Sequence, residues 1–388
     1  MVHIIEKPEK IAALGAAFLE QSLTLPKLFS RKSFDEYAGA QDDVINHVIE
    51  GVLPYRTYGW RSDRAQPIQW DEYAEKKVQV GFSADVPYSG VRLTDEQAKM
   101  DTDGWAKLTR KQGEAIGKGL NHEAAAYIRG LGSVVGGHPG FDYAVKVGVP
   151  NYDLRWGLNK AKLVFDRLAN GIGGPRTMVV GTGWEEAILN DEKLTFANIV
   201  GESEAVGALR EATLGRRSGI DFVVDLTLDE DEAYLFVPSA FTWLVAAPAV
   251  PRSVPAGALG SSEGVPVRWL QDYDTEYFRD RSVFNNWSGF KPVTDRLVGF
   301  DRSQKQGVVG DYDHFVRGIK LTLTESKEDA DTATTVPVAT SGTSEAAKRA
   351  TELANLTGIK PWTARTVEQA HPAMNVTVIN EAPTGEDA

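Results

Sequence analysis

The hydrophobic pattern is clearest between residues 78 and 131, where a strand-like segment leads into one long helix. Val78–Val86 alternates apolar and polar residues, which is the two-residue period of a half-buried strand. Asp101–Gly104 then supplies good helix-capping residues, and apolar residues recur at three- or four-residue steps as far as Leu131. The pattern predicts a helix over 103–131, here named the spine helix, which would be roughly 40 Å long at 1.5 Å per residue.

Three glycines lie within the spine helix, although each costs about 1 kcal/mol relative to alanine. They are Gly113, Gly117 and Gly119. Gly113 and Gly117 are four residues apart and therefore share one face of the helix. We expect another backbone to lie close against that face.

Shorter patterned segments on both sides of the spine helix predict a mixed α+β chain. Helical spacing occurs in 9–29, where Pro26 would stop the helix, in 151–170 and in 344–356. Strand patterns occur in 44–49, 176–180, 226–234 (as a hairpin with an acidic tip), 265–290 (as a long strand pair), 315–323 and 375–379.

Composition indicates a folded chain with no cysteine chemistry. A chain of 388 residues with 42% hydrophobic residues can bury a substantial core and is expected to form two or more domains. The absence of cysteine excludes disulfides, thiolate catalysis and sulfur-based zinc sites. No apolar run approaches the roughly 18 residues of a membrane span, and the acidic, proline-containing N-terminus is unlike a signal peptide, so we expect a cytoplasmic protein without a membrane partner.

The net charge argues against tight binding to nucleic acid. A formal charge of −12 disfavours the phosphate contacts that lysine and arginine clusters make. Arginines and aromatic residues do interleave in Tyr55–Arg64, as in some single-strand binders, but acidic residues surround them. A two-stranded arm that docks on a neighbouring protein is the better interpretation of this segment.

The sequence predicts no cofactor and no metal site. Among the Gly-x-Gly sequences, Gly130–Gly132 follows a helix rather than a strand, and Gly181–Gly183 lacks the third glycine of a dinucleotide loop. Carboxylates at Asp229–Glu232 could hold a hard cation, but a solvated turn is the simpler interpretation. No catalytic residue is assigned.

One stretch leaves an enzymatic alternative open. Asp272, Asp274 and Glu276 lie close to tryptophans, and a glycoside hydrolase needs two carboxylates beside a stacked sugar. The other hypothesis is a strand pair whose charged face forms ion pairs with neighbouring subunits. We favour the second, because nothing elsewhere in the chain supplies a matched acid.

An ordered series of short stretches carries a resemblance to a known family. The stretches are Leu23–Phe29, Tyr55–Arg64, Tyr88–Gln97, Leu214–Phe222, Ala247–Pro251 and Arg268–Asp274. Across residues 10–325 the chain resembles the major capsid (coat) proteins of tailed bacteriophages, and most of all their actinobacteriophage-type branch. The fold of that family is shared with herpesvirus capsid proteins and encapsulins.

The resemblance implies a domain organisation. It comprises an N-terminal arm (1–45), an extended β loop (46–100), a peripheral domain (101–152 with 266–325, containing the spine helix), an axial domain (153–265), and a linker with a C-terminal extension (326–388).

The resemblance also implies function, partners and location. The chain would self-assemble as pentamers and hexamers into the icosahedral shell that encloses double-stranded DNA without sequence-specific binding, and would have no enzymatic activity. Scaffolding protein, portal and a cement or decoration protein would be its partners, in a virion assembled in the host cytoplasm. Some relatives cross-link a loop lysine to an asparagine, and Lys76 and Lys77 are candidates by position. An encapsulin-like compartment shell is the structural alternative.

Overall fold

The computed structural model describes most of the chain, with gaps. The described residues are 7–33, 44–50, 53–58, 67–94 (without 69, 74 and 84), 104–130, 144–148, 154–169, 174–191, 215–301 (without 218), 306–324, 348, 352, 355 and 356. The predicted strand 375–379 and the glycine-rich turn 130–140 lie outside them, except for Gly130. None of the helices found among these residues is both long and apolar enough to cross a membrane.

The described residues form both helices and strands, as the sequence predicts for an α+β protein. The helices are α1 (Pro8–Ser22), α2 (Gly104–Gly130), α3 (Leu154–Ala169) and α4 (Thr182–Asn190). The strands are β1 (Ser30–Ser33), β2 (Val44–Ile49), β3 (Lys76–Gly81), β4 (Tyr88–Thr94), β5 (Ala144–Gly148), β6 (Thr177–Val180), β7 (Arg216–Arg217), β8 (Ile220–Val224), β9 (Glu232–Phe236), β10 (Phe241–Ala246), β11 (Ala256–Ser262), β12 (Val265–Asp274), β13 (Arg279–Asn285), β14 (Trp287–Pro292), β15 (Asp295–Asp301), β16 (Gln306–His314) and β17 (Gly318–Thr324).

These elements belong to two compact units. The first unit contains residues 1–47, 78–129 and 241–291, and the second contains 48–77, 130–240 and 292–388. Sheets β1–β10–β14 and β11–β12–β13–β4 belong essentially to the first unit. Sheets β5–β17–β9–β6–β8–β7 and β15–β16 belong to the second, and β2 pairs with β3.

In the first unit, the spine helix α2 packs against α1 across its glycines. A Cβ on Gly113 would lie 2.7 Å from the carbonyl oxygen of Gly15, and a Cβ on Gly117 would lie 2.9 Å from that of Leu19. Backbone and side chain of α1 therefore occupy the space that larger residues would need. The predicted close approach of a second backbone at Gly113 and Gly117 is confirmed.

A buried polar network joins α2 to the four-stranded sheet of the same unit. The Gln112 amide donates to the carbonyl oxygens of Ser89 and Ser282, at 3.1 and 2.9 Å. Trp269 Nε1 donates to Ser282 Oγ at 2.8 Å, and this hydroxyl donates to Gln112 Oε1 at 3.2 Å. Because buried polar groups are costly without partners, the network fixes α2 on β4 and β13 in one register.

The N-terminal residues pack within the first unit. Ala12, Ala16 and Leu19 of α1 are fully buried, and β1 adds parallel to β10. Asn121 of α2 donates to the carbonyl oxygen of Ser22 at 2.9 Å, which satisfies a carbonyl at the end of α1. Residues 8–33 of the predicted arm are therefore held by their own chain.

In the second unit, the six-stranded sheet corrects one prediction from the sequence. The segment 226–234 was expected to form a hairpin, but β8 and β9 are not neighbours. β6 lies between them, parallel to β8 and antiparallel to β9. Every residue of β9 is buried, which is typical of a strand covered on both faces, and β9 pairs with β6 along one edge and with β17 along the other.

The strands near 266–325, which the resemblance places in one domain, are divided among the sheets. β12 and β13 form the predicted long strand pair, while β17 pairs with β5 and β9 of the six-stranded sheet. The remaining pair, β15–β16, is closed at its base by a buried bidentate ion pair between Asp295 and Arg317, with nitrogen–oxygen distances of 2.5 and 2.6 Å.

Candidate assembly surfaces

Large apolar side chains between residues 53 and 73 face the solvent. We name them the loop surface: Leu53, Tyr55, Tyr58, Ile68, Trp70 and Tyr73, each at least half exposed. Trp70 is the most exposed, at 89%. Clusters of exposed apolar side chains are typical of protein–protein contacts, so this segment is the first candidate for an assembly surface.

The two sides of the loop surface are joined by an ion pair. Arg56 Nε and Nη2 donate to the two carboxylate oxygens of Asp71, at 3.0 and 2.7 Å. This hydrogen-bonded pairing lowers the pKa of Asp71 and raises the pKa of Arg56. The ion pair holds the backbone of the segment together while its aromatic rings remain outside.

The same segment is attached to the β15–β16 pair at two points. The Gly307 amide donates to the carbonyl oxygen of Tyr55 at 2.8 Å. Lys76 Nζ donates to Thr294 Oγ1 at 2.6 Å and lies 2.7 Å from Asp313 Oδ2. Of the two cross-link candidates, Lys76 is thus engaged by its own chain, whereas Lys77 is exposed. The cross-link itself stays a prediction.

The tip of the β12–β13 hairpin is the second candidate surface. We define it as residues 273–281; Tyr277 and Phe278 are 62% and 68% exposed. Phe278 has a φ of 49°, a backbone conformation that few non-glycine residues adopt, and the Arg279 guanidinium lies 4.4 Å from the centre of the Tyr277 ring. The turn therefore holds aromatic side chains outward.

The three carboxylates of the enzymatic alternative lie at this hairpin, where ion pairs and the turn use two of them. Asp272 and Arg281 face each other across the strands, 2.7 Å apart, and Asp274 lies 3.6 Å from the same arginine. Asp274 also accepts the amide of Glu276 at 3.2 Å, which closes the turn. This arrangement is typical of an ion-paired hairpin.

The tryptophan that follows Arg268 is not placed for stacking on a sugar. Trp269 is 1% exposed and its Nε1 is bonded to Ser282 Oγ. The cavity beside the hairpin tip, about 680 Å³, is lined by Arg92, Tyr273, Asp274, Thr275, Glu276, Tyr277, Arg279 and Arg281. Its lining combines both charge signs with tyrosines, which suits contact with another protein surface.

The acidic run Asp229–Glu232 has structural uses in the second unit. Glu232 is buried and accepts from Lys320 Nζ at 2.8 Å. Gly183 lies so close to the Glu230 carbonyl oxygen that a Cβ there would be 2.7 Å away, which accounts for a glycine at the start of α4. Within the described ranges no group of three or more histidines and carboxylates could hold a metal ion.

Sequence reasoning missed the most exposed members of the loop surface. Ile68 and Trp70 follow neither a strand nor a helix period, so periodicity gave no signal for them. The sequence did contain one sign of their exposure: apolar residues repeatedly lie among charged residues in a segment that has no helix or strand pattern.

Comparison with known proteins assigns this architecture to a family. A family model described as phage capsid protein matches residues 88–296, more than half of the chain. No curated protein sequence matches this chain.

Solved structures share the fold at low sequence identity. A chain from Mycobacterium phage Che8 is 16% identical with a TM-score of 0.51, over 77% of this chain and 90% of the other. The mature capsid of bacteriophage PhiM1 provides a match at 11% identity and TM-score 0.50, over 78% and 88% of the two chains. The capsid of the cyanophage P-SCSP1u gives 11% and 0.50, over 77% and 87%. These likenesses show the mixed α+β capsid fold that the sequence predicts.

Proposed function

Because the chain belongs to the phage capsid protein family, we propose that it builds its shell by laying the loop surface over a neighbouring copy. Forming the capsid shell is the function of this chain, and the virion capsid is its location. The solvent exposure of Trp70, Ile68 and Tyr58 carries the proposal for the loop surface.

The energetics favour a neighbouring copy as the cover of the loop surface. Burying one large apolar side chain contributes about 1.5–3 kcal/mol. The attachments from Arg56 to Asp71 and from Gly307 to Tyr55 leave Trp70 and Ile68 exposed to solvent. Contact with a second copy would bury Trp70 and Ile68 without breaking either attachment.

Repetition of this contact accounts for a closed shell. We propose that a different surface of the neighbouring copy receives the loop, and such a head-to-tail contact generates a ring when the rotation between copies closes. We propose that the rings are the pentamers and hexamers of an icosahedral shell. The exposed aromatic residues of the hairpin tip, Tyr277 and Phe278, would provide a further contact between copies.

The domain organisation remains part of the proposal. The proposed peripheral domain, 101–152 with 266–325, contains α2 and the strands from β13 to β17. The proposed axial domain, 153–265, contains α3, α4 and the strands from β6 to β11. The proposed extended loop, 46–100, contains β3, β4 and most of β2.

We propose that the shell contains double-stranded DNA, which the protein encloses without binding it tightly. A formal charge of −12 would repel phosphates and so leave packaged DNA free to move. Scaffolding, portal and cement or decoration proteins are proposed partners, and assembly is proposed to occur in the host cytoplasm. Nuclease-resistant DNA inside particles would support a phage shell, whereas an enclosed enzyme would indicate an encapsulin-like compartment.

We also propose that the chain has no catalytic site. Membership of a capsid family supports a structural role. The pairing of Asp272 and Asp274 with Arg281 supports an ion-paired hairpin over a glycosidase centre.

A pair of surface variants tests the loop contact. Trp70→Ser should reduce the yield of sedimenting shells at least about tenfold, because an aromatic anchor at the centre of an interface is worth about 2 kcal/mol or more at every contact. Leu226→Ser is the matched control, since Leu226 is 82% exposed but lies outside the loop surface. The control should assemble like the natural sequence. Equal assembly of Trp70→Ser, with the same melting temperature, would refute the proposed contact.

A further inference from the structure

Two glycines clear one face of the β15–β16 pair for the C-terminal segment. A Cβ on Gly299 would lie 2.5 Å from Leu356 Cδ2 and 3.0 Å from Leu356 Cα. A Cβ on Gly310 would lie 2.9 Å from Leu356 Cδ1 and would also meet the Glu352 carboxylate. Gly299 is opposite Val308, so Gly299 and Gly310 lie on the same face of the pair. Leu356 occupies the space that their missing side chains leave.

A β-bulge in the same strand pair contacts Glu352, the second residue of the C-terminal segment that packs there. Val298 pairs with Val309 and Arg296 with Asp313, so residues 310–312 face Leu297 alone. Such a bulge leaves backbone groups without ladder partners. The Tyr312 amide donates instead to Glu352 Oε1 at 3.1 Å, and His314 Nε2 lies 3.4 Å from the same oxygen.

Glu352 and Leu356 form one docking face because they are four residues apart in a helix. Residues 348, 352, 355 and 356 are all helical, which agrees with the helix predicted over 344–356. The side chain of Glu352 is only 15% exposed, whereas Asn355 is exposed. Leu356 therefore fills the space beside Gly299 and Gly310, and the Glu352 carboxylate is hydrogen-bonded to the same strand pair.

The β15–β16 pair region also holds the loop segment at Tyr55 and, just beyond the segment, at Lys76. Gly307 binds the Tyr55 carbonyl through its amide, and Thr294 and Asp313 bind Lys76. A Cβ on Gly307 would lie 3.0 Å from the Tyr55 nitrogen, so this contact is also tightly packed. The strand pair is thus a shared support, with the C-terminal helix on one face and the loop segment attached at its edge and base.

We propose that residues 348–356 are a clasp: they dock on the β15–β16 pair of their own chain and, by holding it, fix the attachment of the loop segment 53–58. The occupant is the same chain, because Glu352 and Leu356 contact the β15–β16 pair within a single copy. The clasp gives the C-terminal extension a role that shell formation alone does not require.

An engineered disulfide tests which chain the clasp binds. The natural sequence has no cysteine, so Gly299→Cys with Leu356→Cys introduces the only two thiols. The Cβ positions are 3.1 Å apart, slightly closer than the 3.5–4.5 Å of a disulfide. Replacement of leucine by cysteine removes the Cδ2 atom that would lie 2.5 Å from the new Cβ, and the remaining contact with the Cα at 3.0 Å needs a shift of a few tenths of an ångström. Oxidation should give a disulfide within one chain, identified by non-reducing electrophoresis and peptide mapping. Gly299→Cys with Asn355→Cys is the control and should oxidise at least about tenfold more slowly.

Two results would overturn the docking proposal. A disulfide-linked dimer would show that the clasp binds a second copy, and oxidation no faster than in the control would show that it does not dock at this face. Both outcomes are independent of shell formation, because the disulfide can be mapped in free chains as well as in shells.

Hydrogen exchange tests the coupling from the clasp to the loop segment. Replacement of both anchors, Glu352→Ala with Leu356→Ala, should raise amide exchange in strand 306–314 and in 53–58 at least about tenfold. Lys348→Ala, an exposed position of the same segment, should leave both unchanged. Faster exchange in 306–314 with unchanged exchange in 53–58 would refute the coupling, and unchanged exchange in both would refute the clasp.

Discussion

Glycine residues determine how closely α2, the longest described helix, packs against α1. At Gly113 and Gly117 the backbone and a side chain of α1 lie where a β-carbon would be, and at Gly15 the ring of Phe284 does so. Helix propensity alone would disfavour these glycines, so their benefit comes from tertiary packing. The contact could be predicted at Gly113 and Gly117 because glycines that share one face of a helix indicate close packing there. The sequence did not reveal that the partner is the N-terminal helix.

Alanine substitutions separate packing from helix propensity. Gly113→Ala and Gly117→Ala should each lower the free energy of unfolding by about 1–3 kcal/mol, because overpacking forces α1 and α2 apart. Gly119→Ala is the control: its Cβ would lie 3.8 Å from Pro87, an ordinary contact, so the alanine should stabilise the helix by up to about 1 kcal/mol. Urea unfolding measures all three. A stabilising Gly113→Ala or Gly117→Ala would show that the contact is not tight.

At the scale of elements, local pattern predicted well and strand pairing did not. The spine helix, α3, the strand β2 and the β12–β13 pair follow from periodicity and turn residues. The segment between β8 and β9 looks like a hairpin, but β6, an earlier strand, is inserted between them. Residues 220–236 alone give no sign of this insertion, because it depends on the edge pairing of a strand from an earlier part of the chain.

The Arg56–Asp71 ion pair joins the two sides of the loop surface. Because its hydrogen bonds to Arg56 lower the pKa of Asp71, the pairing is fully present above the ordinary aspartate pKa, near 4, and is lost as the pH falls through the lowered value. Asp71→Asn should reproduce at pH 7 the loosening expected in acid, observed as faster amide exchange in 53–58. Glu72→Gln, the exposed neighbouring residue, is the control and should exchange like the natural sequence. Unchanged exchange in Asp71→Asn would show that the pair does not order the loop.

At the scale of the whole molecule, the chain buries its two cores but leaves aromatic side chains outside. Trp243 and Trp269 of the first unit and Trp184 of the second are almost fully buried, while Trp70, Tyr58 and Phe278 are more than two-thirds exposed. The fold class and the family could be inferred from the order of short stretches along the chain. The contact surface could be inferred only in outline, because a single sequence carries no signal for the copy that covers it.

A particle reconstruction is the measurement that tests the central claim most directly. Cryo-electron microscopy of assembled shells should show a neighbouring copy within about 4 Å of Trp70 and Ile68, the range of apolar contact. The same map should show closed rings of five and six copies. Shells in which both side chains face solvent, or fold back onto their own chain, would contradict the claim that each copy is completed by its neighbour.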